Sequence, residues 1–303
     1  MFGTVIPQIP KLQEFRCYPA VLLITLLIIG ITVAWWAKVD VSCLFETAEI
    51  RRGQLWRLFT GGFIHGDILH LAFNLYWLWV FAPSVEKNYG KLNFILLILL
   101  FGIGSGALEF AFDEGGIGFS GVLYGLFGML WIVARYDDRF RDVVNKDVSL
   151  VFFGLFVICI FARYVFQLNI GNIAHAAGLA LGVLVGCYKV STRAKYLLKS
   201  CIVCFVLLSV LGATIFRPVL NKSDFGGRAE AGWGYEALQA HDFAVAVWWL
   251  RDAVVYRSSD ADSWHNLGLA YQALGDSNRA ELAFHEAQAL RSNKSESAVP
   301  TKK

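Results

Sequence analysis

The sequence predicts an all-α polytopic membrane helix bundle followed by a small soluble helical-repeat domain, and three observations carry that prediction. Apolar residues make up 56% of the 303 positions and charged residues only 17%, where a soluble domain carries about a quarter charged. A mean hydropathy of +0.52 leaves too little polar surface to cover one water-soluble globule. Segments of roughly the 20 apolar residues needed to cross a bilayer core recur along the first two thirds of the chain. From residue 225 onward the material changes, with no apolar span and ten acidic against eight basic residues. The same composition excludes a disordered chain, a collagen-like repeat and a disulfide scaffold. A net charge of +3 without a Lys/Arg-rich block excludes the electrostatic footprint of a nucleic-acid binder.

The first span, 18–37, holds no charge. It is too long for a signal-peptide core and lacks a small-x-small site before Lys38, so it is expected to be retained. Residues 38–67 carry Trp56 and Arg57 and are too polar to cross; they form a candidate interfacial loop. Further spans are expected at 68–85 and 92–112, with one His and one Glu, and at an uncharged 118–134. Three more follow at 149–166, 171–188 and 200–216. Six are strong and the last is a seventh. With the N-terminus inside, twelve Lys/Arg fall in inner loops and five in outer ones. That bias predicts a cytoplasmic N-terminus and everything after Arg217 outside. The domain reading is therefore 1–190 membrane core, 191–222 connecting loop and seventh span, 223–292 repeats, and 293–303 a frayed end.

In the tail, Trp264, Leu267, Gly268, Tyr271, Gly275, Ala280, Phe284 and Ala287 have the spacing of a tetratricopeptide helix–turn–helix unit, which repeats every 34 residues. Shifted back by 34, Trp233, Gly234, Ala246, Leu250 and Ala253 fall opposite Leu267, Gly268, Ala280, Phe284 and Ala287. Two repeats are expected, fewer than the three usually needed to stand alone, so the pair is expected to lean on a second copy, the membrane domain or a protein partner.

The six cysteines imply no chemistry. Cys201-x-x-Cys204 has no second ligand pair and lies in a hydrophobic run, so no metal site is expected.

Polar side chains inside spans need a reason. Ser120 opens the fourth span in Gly118-Phe119-Ser120-Gly121-Val122-Leu123-Tyr124-Gly125; alone it reads equally as a serine bonding back to its own helix. His175 stands in an uncharged span, where a histidine is a functional candidate by default. Its helix carries Ala174, Gly178, Gly182 and Gly186 at every fourth place, a stripe that lets another backbone approach closely. Gly121 and Gly125 offer a matching face. Two helices meeting there would bring Ser120 and His175 within hydrogen-bond reach, which an activated serine requires. His70 and Asn74 share one face of the second span and are donors suited to an oxyanion, or else buried structure. Tyr124, on the Ser120 face, is placed to pack on an imidazole. Acidic residues are scarce nearby, so a dyad is read rather than a triad. Glu109 on the third span is left without a role.

Together, Gly118-x-Ser120-Gly121-x-x-Tyr124, Ala174-His175-x-x-Gly178-x-x-x-Gly182 and His70-x-x-x-Asn74 resemble the signatures of rhomboid intramembrane serine proteases, in the family's order and on its second, fourth and sixth spans. Trp56-Arg57 resembles the pair in that family's long first loop, and Glu86-Lys87-x-x-Gly90 the motif ending its second span. The likeness covers about residues 15–190. It implies a six-helix core with Ser120 as nucleophile and His175 as base in a water-filled cavity open to the outside. It also implies an oxyanion hole of His70, Asn74 and the Ser120 N–H, a loop shaped by Gly118, and no cofactor or metal.

The expected substrates are single-span membrane proteins, cut near the outer face, and the expected location is a bacterial inner membrane. Two other classes were weighed. A transporter would show paired polar sites in two repeated halves, which the chain lacks. A catalytically silent scaffold whose repeats bind a protein partner would need neither Ser120 nor His175.

Overall fold

A computed structural model of the chain describes residues 9–168, 170–221 and 227–297. Every regular element among the described residues is helical, and contacts divide the chain into two units, Met1–Ile215 and Phe216–Lys303.

The first unit begins with α1, Pro19–Trp36, whose buried Ala20, Val21, Ile24 and Ile28 recur on one face. Proline at its first position cannot donate, and the next two amides, of Ala20 and Val21, donate to the Glu86 carboxylate at 3.1 and 2.9 Å. The polar stretch that follows folds into short turns and the single-turn α2, Arg57–Thr60. Arg57 organises it, donating to the carbonyls of Ser42 and Phe45 at 2.6 and 2.9 Å and to the Gln54 side chain. Trp56 donates to the Cys43 carbonyl. Asp67 then caps α3, Ile68–Tyr89, by accepting from the Leu69 and His70 amides; α4, Lys91–Phe112, starts across Gly90.

Helix α5, Ser120–Val133, is only 14 residues long. At 1.5 Å per residue it reaches about 21 Å, short of a 30 Å hydrocarbon core. It is buried along nearly its whole length, as a helix apolar on every side must be. Around it lie α6, Lys146–Phe166, largely exposed, and α7, Asn172–Val190. The last helix of the unit is α8, Lys195–Leu211, continued by a π-turn over Gly212–Phe216.

Six helical stretches are long and apolar enough to cross a membrane; α5 is the shorter seventh. The molecule is thus an integral, multi-pass membrane protein. Helices run past the apolar windows read from sequence, α3 to Tyr89, and α6 and α8 from Lys146 and Lys195. Long basic side chains at helix ends keep their charge in water while the backbone continues. The fourth span, expected over 118–134, starts later because Gly118 has φ +103°, a conformation that does not continue a helix.

The closest packing joins α5 to α7. A Cβ placed on Gly178 or Gly182 would lie 2.1 Å from the carbonyl oxygen of Gly121 or Gly125. Without a hydrophobic drive between helices in lipid, such backbone-to-backbone contact is what association rests on.

The second unit contains α9, Arg217–Leu220, α10, Arg228–Gln239, α11, Phe243–Tyr256, α12, Ala261–Ala273, and α13, Ser277–Ser297. Successive helices of the last four pack on each other. A Cβ on Gly234 would meet Leu250 at 2.5 Å, and one on Gly268 would meet Phe284 at 2.5 Å, the same contact 34 residues on. The turns match as well. His241 (φ +59°) and Gly275 (φ +79°) occupy the same left-handed position, each followed by an aspartate whose side chain accepts an amide of the next helix. The division after Ile215 lies ahead of the expected tail boundary at 223; residue 222 is outside the described residues. Helix α13 continues into the stretch read as frayed, of which 298–303 lies outside the described residues.

The α5–α7 seam makes a stability prediction. Gly182→Ala puts a methyl onto a main-chain oxygen that cannot step aside, and should cost about 1–3 kcal/mol, the range for overpacking. Gly154→Ala on α6, where nothing lies within 4 Å of the added carbon, should leave stability unchanged or slightly raised. Thermal unfolding of both variants in detergent checks the pair; equal melting temperatures would contradict the seam.

Candidate active site

Ser120 is the first residue of α5, and no side chain caps that helix start. Leu123 is the first amide to bond back along the chain, to Phe119, so the Ser120, Gly121 and Val122 amides have no partner within the helix. A helix N-terminus of this kind carries partial positive charge and favours an anion.

Beside it the seam sets the position of His175, one turn into α7. The Ser120 Oγ lies 2.8 Å from His175 Nε2. With the hydroxyl donating, Nε2 accepts and the ring proton sits on Nδ1. That atom is buried and has no hydrogen-bond partner among the described residues, so no third member joins the pair. The Tyr124 ring, one turn after Ser120, packs on the imidazole with centroids 4.7 Å apart and planes tilted by 31°. Its hydroxyl donates to the Phe152 carbonyl at 3.3 Å, which fixes the ring from α6.

His70 and Asn74 face the same region from α3. The His70 ring lies against Gly118, where a Cβ would sit 2.5 Å from ring atoms. Gly118 thus meets two demands, a positive φ and space for an imidazole. Asn74 is buried and donates one amide hydrogen to the His70 carbonyl at 2.8 Å, leaving its second hydrogen uncommitted. Gly121, Gly178 and Gly182 act through the seam, and Trp56, Arg57 and Glu86 hold the first loop and α1 rather than touching Ser120.

Sequence reasoning passed over three side chains that brace this site. His65, fully buried, accepts the Phe119 amide on Nε2 at 3.3 Å, one residue before Ser120. Its Nδ1 then donates toward Thr32 Oγ1 at 3.4 Å, which itself donates to the Phe63 carbonyl. Burial, with the neighbouring His70 second, pushes its pKa down to about 4, so it stays neutral and able to accept. Glu46 accepts the Gly116 amide at 2.7 Å, pinning the turn that leads to Ser120. Glu109 accepts the Ala174 amide at 2.6 Å. A cavity of about 50 Å³ lies between them, lined by Glu46, Ser105, Glu109, Gly118 and Ser120; it has room for one or two waters at about 30 Å³ each. Only Glu109 had a signal in the sequence, a lone carboxylate in an apolar span. Among the described residues no group of three or more His, Cys, Asp or Glu is placed to hold a metal.

The arrangement joins a serine hydroxyl to an imidazole at an uncapped helix start, inside an apolar bundle. That chemistry suits nucleophilic attack with stabilisation of an oxyanion. Residues 52–192 match the rhomboid domain as a family. Over 171 residues the chain is 30% identical to the rhomboid protease GlpG of Photorhabdus laumondii subsp. laumondii, an alignment taking in 54% of this chain and 60% of that protein. The chain therefore spans less than two thirds of that relative's length. On the match of its membrane helices, and the motifs they carry, this chain belongs to the rhomboid family.

Proposed function

We propose that this protein is an intramembrane serine endopeptidase in which Ser120 and His175 form a catalytic dyad. The observation that carries the reading is the 2.8 Å contact between the Ser120 hydroxyl and His175 Nε2 at the start of α5. His175 takes the Ser120 proton as Oγ attacks a peptide carbonyl, then passes it to the leaving amine. Water, deprotonated by His175, releases the acyl group. The oxyanion is held by the Ser120 amide and by His70 and Asn74. A helical substrate hides its carbonyls, so single-span membrane proteins that unwind readily, cut near the outer face, are the class proposed. The protein would sit in a bacterial inner membrane with its N-terminus cytoplasmic, and needs no cofactor.

The tail supports a second element of the reading. Contacts that recur at 34 residues favour two tetratricopeptide-like repeats, and stacked repeats present a concave surface suited to an extended segment. The repeats would recruit substrate or a partner, or pair with a second copy, without entering the chemistry. Were the dyad inactive, the same tail would make the protein a membrane scaffold.

Residues acting in one step lose activity together rather than additively. Ser120→Ala, His175→Ala and the double variant should each abolish cleavage of a membrane-spanning reporter to a similar residual level. A fluorophosphonate should label the parent at Ser120. Full cleavage by Ser120→Ala would overturn the dyad and leave the scaffold reading.

One oxyanion donor is worth about 3–4 kcal/mol, or roughly 100- to 1000-fold in rate. His70→Ala and Asn74→Ala should therefore lower turnover while fluorophosphonate labelling persists at a slower pace. Parental rates in both would assign these side chains to packing.

Removing residues 223–303 should leave reporter cleavage near the parental rate while slowing a natural substrate or abolishing a dimer. In a Cys43→Ser background, Ser292→Cys should react with a membrane-impermeant thiol reagent added to intact cells; reaction only after the membrane is opened would place the tail in the cytoplasm.

A further inference from the structure

Glu109 is a carboxylate only 2% exposed in the interior of α4, and the mechanism above gives it no step. Its Oε2 accepts the Ala174 amide at 2.6 Å, across 65 residues of sequence. Ala174 is the third residue of α7 and His175 the fourth. The residue preceding that helix is Gly171, which supplies no side-chain cap, and a Cβ there would lie 3.5 Å from the Glu109 carboxyl. The helix that carries the base therefore borrows its N-terminal cap from another helix. A carboxylate at this point meets both an orphan donor and the positive end of the helix dipole. It fixes where α7 begins and the rotation of its first turn, and so the direction in which His175 presents Nε2.

We propose that Glu109 is a positioning residue for His175, acting through the cap it provides to α7. The inference rests on the dyad reading, so labelling of the parent and loss of labelling in Ser120→Ala must be established first; failure there removes the dyad and not this contact. The experiment compares Glu109→Gln, which keeps an acceptor oxygen at the same reach, with Glu109→Leu, which keeps the bulk and removes the acceptor. Full-length protein in detergent is assayed for fluorophosphonate labelling rate, for kcat and KM on a reporter, and for melting temperature. Misplacing a reacting group by about 1 Å can cost on the order of 100-fold. Glu109→Leu should lower labelling rate and kcat together by about ten- to 100-fold with KM unchanged, while Glu109→Gln stays within about threefold of the parent. If Glu109→Leu does not fold, Glu109→Gln and Glu109→Asp carry the test, since aspartate is one methylene short of the amide and should fall well below glutamine in labelling rate. Parental labelling by Glu109→Leu, a Gln variant as slow as Leu or Asp, or a loss appearing in KM alone would each overturn the proposal.

Discussion

Where α5 crosses α7 there is no room for side chains: a methyl on Gly178 or Gly182 would sit on a main-chain carbonyl of the other helix. In lipid the apolar surroundings give helices no reason to prefer each other over acyl chains. What holds them is close contact, many small dispersion gains at once, and that contact also fixes their register. Ser120 begins one of these helices and His175 lies one turn into the other. Their hydrogen bond follows from glycines that never touch either side chain.

Around this seam, charge is used sparingly and always to finish a backbone. Glu86 caps α1 from α3, and Glu109 caps α7 from α4. Glu46 accepts an amide of the turn before Ser120, and Arg57 is spent on carbonyls of the first loop. An unpaired amide at a buried helix end is costly, and two of these helices open on a proline or a glycine, residues that offer no side-chain cap. The bundle meets the shortage by lending carboxylates between helices, which also ties the lender to the borrower.

What could be read from sequence divides along the same line. Ser120 and His175 are polar residues in apolar spans, and the small-residue stripe beside them announces where two helices meet. The 34-residue period of the tail is visible because both members of each contact, Gly234 with Leu250 and Gly268 with Phe284, recur in phase. His65 and Glu46 left no such trace. They reach amides 54 and 70 residues away, and nothing local distinguishes them from other polar residues of a loop. Glu109 was conspicuous as a carboxylate inside a span, yet its purpose depends on a helix start that the sequence does not mark. The shortness of α5 was hidden for a related reason. Hydropathy continues through Gly118 and Phe119, while the backbone turns aside there.

The recurring contact in the second unit bears on how this part of the chain can change over time. Because each hairpin meets its neighbour through the same glycine-to-large-residue fit, another 34-residue copy inserted in phase would find a docking face already present. Duplication could lengthen the array without disturbing the residues that precede it, as in other one-dimensional stacks. The tail is in that sense a ruler with two divisions, and its length can be adjusted independently of the membrane helices.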